Sequence, residues 1–258
     1  GMTLPLIANA TARRLFLDRH ALAEPPVGPA KGADLAALID RIGFVQLDSI
    51  STVERAHNMI LWSRRGTFRP GALARLHDRD RVLWEHVTHD ASVLPMAVYG
   101  HWKHRFARDR ARLVERWTGW QKAGFQEKFD AVLKRISDGG PVSSADVGED
   151  EERSKGGWWD WHPSKAALEF LWRAGDLAVC HRDNFRKVYD LTERVIPAAA
   201  RAVSPSEEET VDWACRTALD RLGFGTSGEL AAYWAAIPPE AAKSWVREAL
   251  ARGEVMEA

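Results

Sequence analysis

The chain has 258 residues, enough for two or three small cores, and its 45% apolar and 28% charged residues are the balance of a globular, water-soluble protein. No apolar run approaches the ~20 residues that span a bilayer, and the opening Gly1-Met2-Thr3 lacks the basic and apolar regions of a secretory leader. Two cysteines, Cys180 and Cys215, offer neither a metal spacing nor a disulfide framework, which fits a reducing cytosol.

Net charge is zero but unevenly spread: residues 1–120 carry +6 and residues 121–258 carry −6. Seven of the nine histidines also fall in the first part, so the distribution predicts one basic face. Arginine supplies 27 of the 36 basic residues, which suits bidentate phosphate contacts and equally follows from a GC-rich genome.

In chain order, helices are expected at 11–22 and 32–43, the second with Leu35, Leu38, Ile39 and Ile42 on one face. Gly43 ends it, and the run from Phe44 to Ile50 reads as a short strand. Ser51-Thr52-Val53-Glu54 is a capping box that opens a helix reaching about Arg65. Pro70 opens a helix over 70–77, and 81–89 with 91–95 read as the two strands of a wing. Residues 97–136 form one long helical region rich in Arg and Trp, followed by a mobile loop over 137–155 around Gly139-Gly140-Pro141.

The chain also repeats itself. A proline-started helix at 163–173 leads through Gly175 and Asp176 into a hairpin that closes at Leu191. A second at 239–251 leads through Gly253 and Glu254 into a strand from Val255, where Ala258 ends the chain inside a first wing strand. That pattern predicts a truncated unit, or a partner strand from elsewhere. The fold class is mainly α with small β-hairpins, as tandem winged helix-turn-helix domains at 1–118, 119–203 and 204–258. Such units bind DNA or serve as protein-interaction modules.

Several blocks then resemble a known family. They are Gly43-Phe44-Val45-Gln46-Leu47-Asp48-Ser49-Ile50, Val53-Glu54-Arg55-Ala56-His57, Leu61-Trp62-Ser63-Arg64, the stretch from Trp84 to Pro95, and Gly157-Trp158-Trp159-Asp160-Trp161 running on to Leu171. In this order they resemble the winged-helix DNA glycosylases related to YcaQ and AlkZ. The resemblance implies a C-shaped array of winged helices around a DNA channel. It also implies excision of N7-alkylated purines and unhooking of interstrand crosslinks. Family members carry Gln-x-Gln or Gln-x-Asp, and Gln46 with Asp48 has the second form. They also extend past the end of this chain, through a completed third winged helix and a β-rich region.

The chemistry of the two residues fits independently. Residues i and i+2 on a strand share a face, so both side chains can enter one cleft. N7 alkylation already makes the purine a good leaving group, so a carboxylate to stabilise an oxocarbenium-like sugar and take a proton from water, plus an amide to position that water, suffices. Asp48 fits the first role and Gln46 the second; alternatively Asp48 caps the next helix, although Ser51 is already there to do so.

Glu85, His86, His89 and Asp90 on the wing either meet the lesion, brace the Gln46 strand, or hydrogen-bond the wing itself. No metal or cofactor is expected, because histidines three apart on a strand face opposite ways. Trp158, Trp159 and Trp161 either stack on bases or pack the second winged helix. Arg55, His57, Arg64 and Arg65 are phosphate contacts or a solvated face, and Lys165 joins them as a DNA contact. The expected partner is double-stranded DNA with alkylated or crosslinked purines, met by a cytoplasmic, nucleoid-associated monomer with no membrane association. A non-catalytic DNA-binding regulator, or a protein-interaction module working through the acidic second half, are the competing readings.

Overall fold

The first described helix, α1 (Gly32–Ile42), buries Leu35, Leu38 and Ile39 completely, at the i, i+3, i+4 spacing of one apolar stripe. Gly43 stops it at φ 94°, donating its amide to the Ile39 carbonyl at 2.8 Å, the left-handed closure that glycine permits without strain. A short strand β1 (Val45–Gln46) follows. After α2 (Pro70–Asp78), the chain forms β2 (Leu83–Val87) and β3 (Ala91–Pro95), within the segments predicted for the wing. These come from a computed structural model, which describes residues 32–46, 70–116, 119–155 and 163–258. The expected helices at 11–22 and 51–65 lie outside the described residues.

A 3-10 turn at Met96–Val98 leads into α3 (Tyr99–Glu115) and α4 (Gly119–Gly139), so the single helical region predicted over 97–136 is two helices. The predicted mobile loop over 137–155 is also corrected. Its first residues finish α4, and the rest form β4 (Val142–Ser143) and α5 (Ser144–Lys155). Gly140 turns the chain at φ 87°, and Ser143 and Asp146 then cap α5 reciprocally. The Ser143 amide donates to Asp146 Oδ2 at 2.9 Å, and the Asp146 amide to Ser143 Oγ at 3.4 Å. Polar, glycine-rich composition therefore conceals a turn and a helix start rather than a loop.

Next come α6 (Pro163–Arg173), β5 (Leu177–Asp183), β6 (Arg186–Leu191), and two single-turn helices α7 (Thr192–Val195) and α8 (Ala198–Arg201). Strands β4, β6 and β5 form an antiparallel sheet in that order, with Val142 opposite Tyr189 and Leu177 opposite Leu191. A bulge at Cys180 breaks the β5–β6 register, and Asn184 and Phe185 close the hairpin with both φ positive. The chain ends in α9 (Glu207–Leu222), α10 (Ser227–Trp234) and α11 (Pro239–Ala251), the first two opened by complete capping boxes at Ser206 and Thr226. The strand expected after Glu254 does not form. Glu254 instead folds back, its amide on the Ala249 carbonyl and its carboxylate on Arg216 and Arg252. With no strand paired to it, the segment closes as a turn.

Internal contacts divide the described residues into two units, one of 32–46, 70–73, 87–95 and 204–258, the other of 74–86, 96–116, 119–155 and 163–203. In the first, the α1 stripe, Val45, Val93 and Leu94 are buried, as are Cys215, Leu230, Trp234 and Trp245 from the last three helices. In the second, Trp84 meets Tyr99, Trp102 and Phe106 edge-on, and Phe129 stacks on Phe170 at 4.4 Å. No helix among the described residues is long and apolar enough to cross a membrane.

Gly175 joins α6 to β5 at φ 86°, and a Cβ there would lie 2.5 Å from Phe106 Cδ2. Gly175→Ala combines left-handed strain with overpacking against a buried ring, and we expect it to cost about 2–4 kcal/mol. Urea unfolding followed by tryptophan fluorescence reads the loss.

Candidate active site

Gln46 is the last residue of β1 and is half-buried. Its partner in the antiparallel register is Ser92 on β3, and Val45 pairs with Val93. Ser92 is fully buried, its Oγ donating to the Asp90 carbonyl at 3.0 Å and lying 2.8 Å from Thr88 Oγ1. A hydroxyl has one proton, so Thr88 must be the donor to Ser92. The Thr88 amide also donates to the Asp90 carbonyl at 3.0 Å. The turn beside Gln46 is thus fixed by its own hydroxyls.

The residues leading into β1 are held by the last helices. Trp234, on α10, is 1% exposed and donates its indole N–H to Thr217 Oγ1 at 2.8 Å. Phe44 packs against it at 5.5 Å and edge-on against Tyr233 at 5.7 Å. Gly43 lies so close to the indole that a Cβ there would stand 3.0 Å from Cη2. Arg221 on α9 reaches the end of α1, where Nη2 donates to the Asp40 carbonyl at 2.8 Å and Nε to the Arg41 carbonyl at 3.2 Å. These are among the four carbonyls a helix leaves without internal partners, and a cation there also meets the negative end of the dipole. The same guanidinium lies 5.4 Å from the Trp234 ring. His89, exposed at the β3 turn, hydrogen-bonds through Nε2 to the Ala232 carbonyl on α10.

Asp48, Arg55, His57, Arg64, Arg65 and Trp159 lie outside the described residues. Glu85 and His86 belong to the second unit. Glu85 is 3% exposed, its carboxylate taking three hydrogen bonds from Arg182, whose Nη1 also donates to the Phe185 carbonyl at 2.7 Å. His86 Nε2 donates to the Trp172 carbonyl at 3.1 Å, while Trp172 Nε1 donates to the Glu85 carbonyl at 3.3 Å. Both side chains therefore tie β2 to α6 and to the β5–β6 hairpin. Lys165 is half-buried on α6, its aliphatic stem lying against Gly148 of α5, where an added Cβ would be 2.6 Å from Cε. Cys215 is fully buried, and burial pushes its thiol up to about 12, far from the thiolate a nucleophile needs. Among the described residues, no group of three His, Cys, Asp or Glu side chains could hold a metal ion.

Sequence reasoning missed Arg221, Trp234, Thr88 and Ser92. The first two act on residues roughly 180 positions earlier in the chain, and no local pattern announces such a pairing.

The chain belongs to the AlkZ-like DNA glycosylase family, whose model matches residues 39–258. Its fold is similar to that of the Streptomyces sahachiroi DNA glycosylase AlkZ, with a TM-score of 0.59 and 16% identity over 92% of this chain. The chain spans 64% of the length of that protein.

The Glu85–Arg182 pair gives a test of the scaffold. Arg182→Ala strands a buried carboxylate and is expected to cost about 3–5 kcal/mol. Adding Glu85→Gln should recover part of that loss in the same unfolding measurement, because the orphaned charge is then removed.

Proposed function

We propose that this protein is a DNA repair glycosylase that hydrolyses the N-glycosidic bond of N7-alkylated purines and unhooks crosslinks made through such purines, with Gln46 and Asp48 as its catalytic pair. The observation that carries this reading is Gln46 itself. It is a partly open amide at the end of a strand pinned by β3 and by α9–α10, in a chain whose family is defined by glycosylases. If the strand continues past Gln46, Asp48 shares its face.

In the proposed reaction the C1′–N9 bond breaks and its electron pair moves onto the purine, cancelling the N7 charge. The Asp48 carboxylate stabilises the positive sugar and takes the proton of the attacking water. Gln46 orients that water toward C1′. The outcome is simple hydrolysis, because no lysine occurs between residues 32 and 102 to form a Schiff base with the sugar. The winged-helix units at 1–118 and 119–203, with the helices of 204–258, are proposed to bind duplex DNA as a monomer. The order helix, strand, helix, helix, strand, strand from α4 to β6 supports that reading for the second unit. Arg55, His57, Arg64, Arg65, Trp159 and Lys165 are the proposed DNA contacts.

Duplex DNA bearing N7-methylguanine, scored for abasic sites, tests the assignment. Asp48→Asn should slow release by about 10²–10⁴-fold, the usual contribution of a positioned acid–base group. Equal release by wild type and Asp48→Asn would overturn the catalytic role. No release by wild type, with salt-sensitive DNA binding retained, would favour the non-catalytic regulator. A crosslinked duplex in the same assay separates unhooking from monoadduct excision.

A further inference from the structure

The second unit holds a cleft that the glycosylase reading does not use. It encloses about 490 Å³ between α3, α4 and α6, within the range of small-molecule sites. Its apolar wall is built from Phe125, Phe129 and Phe170, the last two stacked almost parallel. Arg112, Arg116 and Arg173 line it as well.

Two carboxylates also line the cleft. Asp109 lies 3.7 Å from Arg105 of the same helix, and its buried Oδ2 makes no hydrogen bond. Glu169 receives Lys187 at 3.0 Å and Tyr189 at 3.3 Å on Oε2, and Arg173 at 3.4 Å on Oε1. Arg112 and Arg116 are exposed and have no acidic partner among the described residues. Burial, helped by the charges of Arg173, Arg108 and Arg112, brings Arg105 down to about 10 against the pull of Asp109. The cleft thus combines an aromatic wall with two exposed arginines, Arg112 and Arg116, that have no acidic partner among the described residues.

We propose that this cleft binds a nucleotide, its base laid against the phenylalanine wall and its phosphate held by Arg112, Arg116 and Arg173. A flat ring satisfies the apolar lining, and guanidiniums grip phosphate oxygens in bidentate fashion. A purine ring engages the apolar lining, which a bare anion does not. The nucleotide is either free in solution or the unpaired terminal residue of a DNA strand, and the two sources share this chemistry. The inference does not depend on Gln46 or Asp48.

Titration calorimetry of the full chain with adenosine 5′-monophosphate, adenosine and inorganic phosphate tests the proposal. The nucleotide should bind at least about tenfold tighter than either half, since both parts of the cleft are engaged only by the whole. Arg112→Ala combined with Arg116→Ala should weaken it at least about tenfold, and both positions are exposed, so the fold is retained. Phe125→Leu should weaken the nucleotide and leave inorganic phosphate unchanged. A 5′-phosphorylated duplex with a single-stranded overhang that displaces the nucleotide identifies a strand end as the source; failure to displace it identifies the free nucleotide. No nucleotide binding up to about 10 mM, or equal affinity in the double arginine variant, would overturn the site.

Discussion

Trp234 is the seat on which the candidate catalytic strand rests. Its indole is buried, fixed by its N–H on Thr217, and packed 4.7 Å from Trp213. Above it the chain must pass without a side chain, and does so at Gly43 in a conformation that glycine adopts freely. Phe44 then packs on the same ring, and Val45 and Gln46 enter the sheet. Arg221 completes the arrangement by capping α1 while lying over the indole. The described residues of the strand are thus placed by their pairing with β3 and by the helices that seat Gly43 and Phe44.

The other unit answers a different demand. There a buried carboxylate, Glu85, is tolerated because Arg182 satisfies it and at the same time holds the hairpin tip at Phe185. Burial alone would depress the charge on that guanidinium, yet the hydrogen bonds and charge of Glu85 outweigh it and leave its pKa raised. His86 and Trp172 add a reciprocal pair of side-chain to backbone bonds between β2 and α6. Residues that look catalytic in a sequence, a glutamate beside a histidine, here hold strands and helices together.

The elements that could be read from sequence are those with local causes. Helix α1 declared itself through the spacing of Leu35, Leu38 and Ile39 and the glycine after them, and α6 and α11 through their opening prolines. The β5–β6 hairpin followed from the proline-started helix, the glycine turn and the acidic residue that precede it. What stayed hidden has distant or ambiguous causes. The segment 137–155 has a loop's composition, yet Val142 finds Tyr189 across the sheet and Ser143 finds Asp146. The strand expected after α11 repeats a pattern that forms a hairpin at β5, but here Glu254 is drawn back by Arg216 and Arg252. For the site, Gln46 was legible as a strand residue. The clamp that holds it was not, because Arg221 and Trp234 are far away in sequence and carry no motif.

The dependence of β1 on α9 and α10 is most directly measured by amide hydrogen exchange over residues 43–46 and 92–93, comparing the wild type with Arg221→Ala. Hydrogen bonds from a charged donor contribute about 1.5–3 kcal/mol, so protection there should fall at least about tenfold. Protection over 177–191, in the other unit, should not change. Unaltered protection at 43–46 in the variant would contradict the account, since the strand would then be held without the helices that are said to carry it.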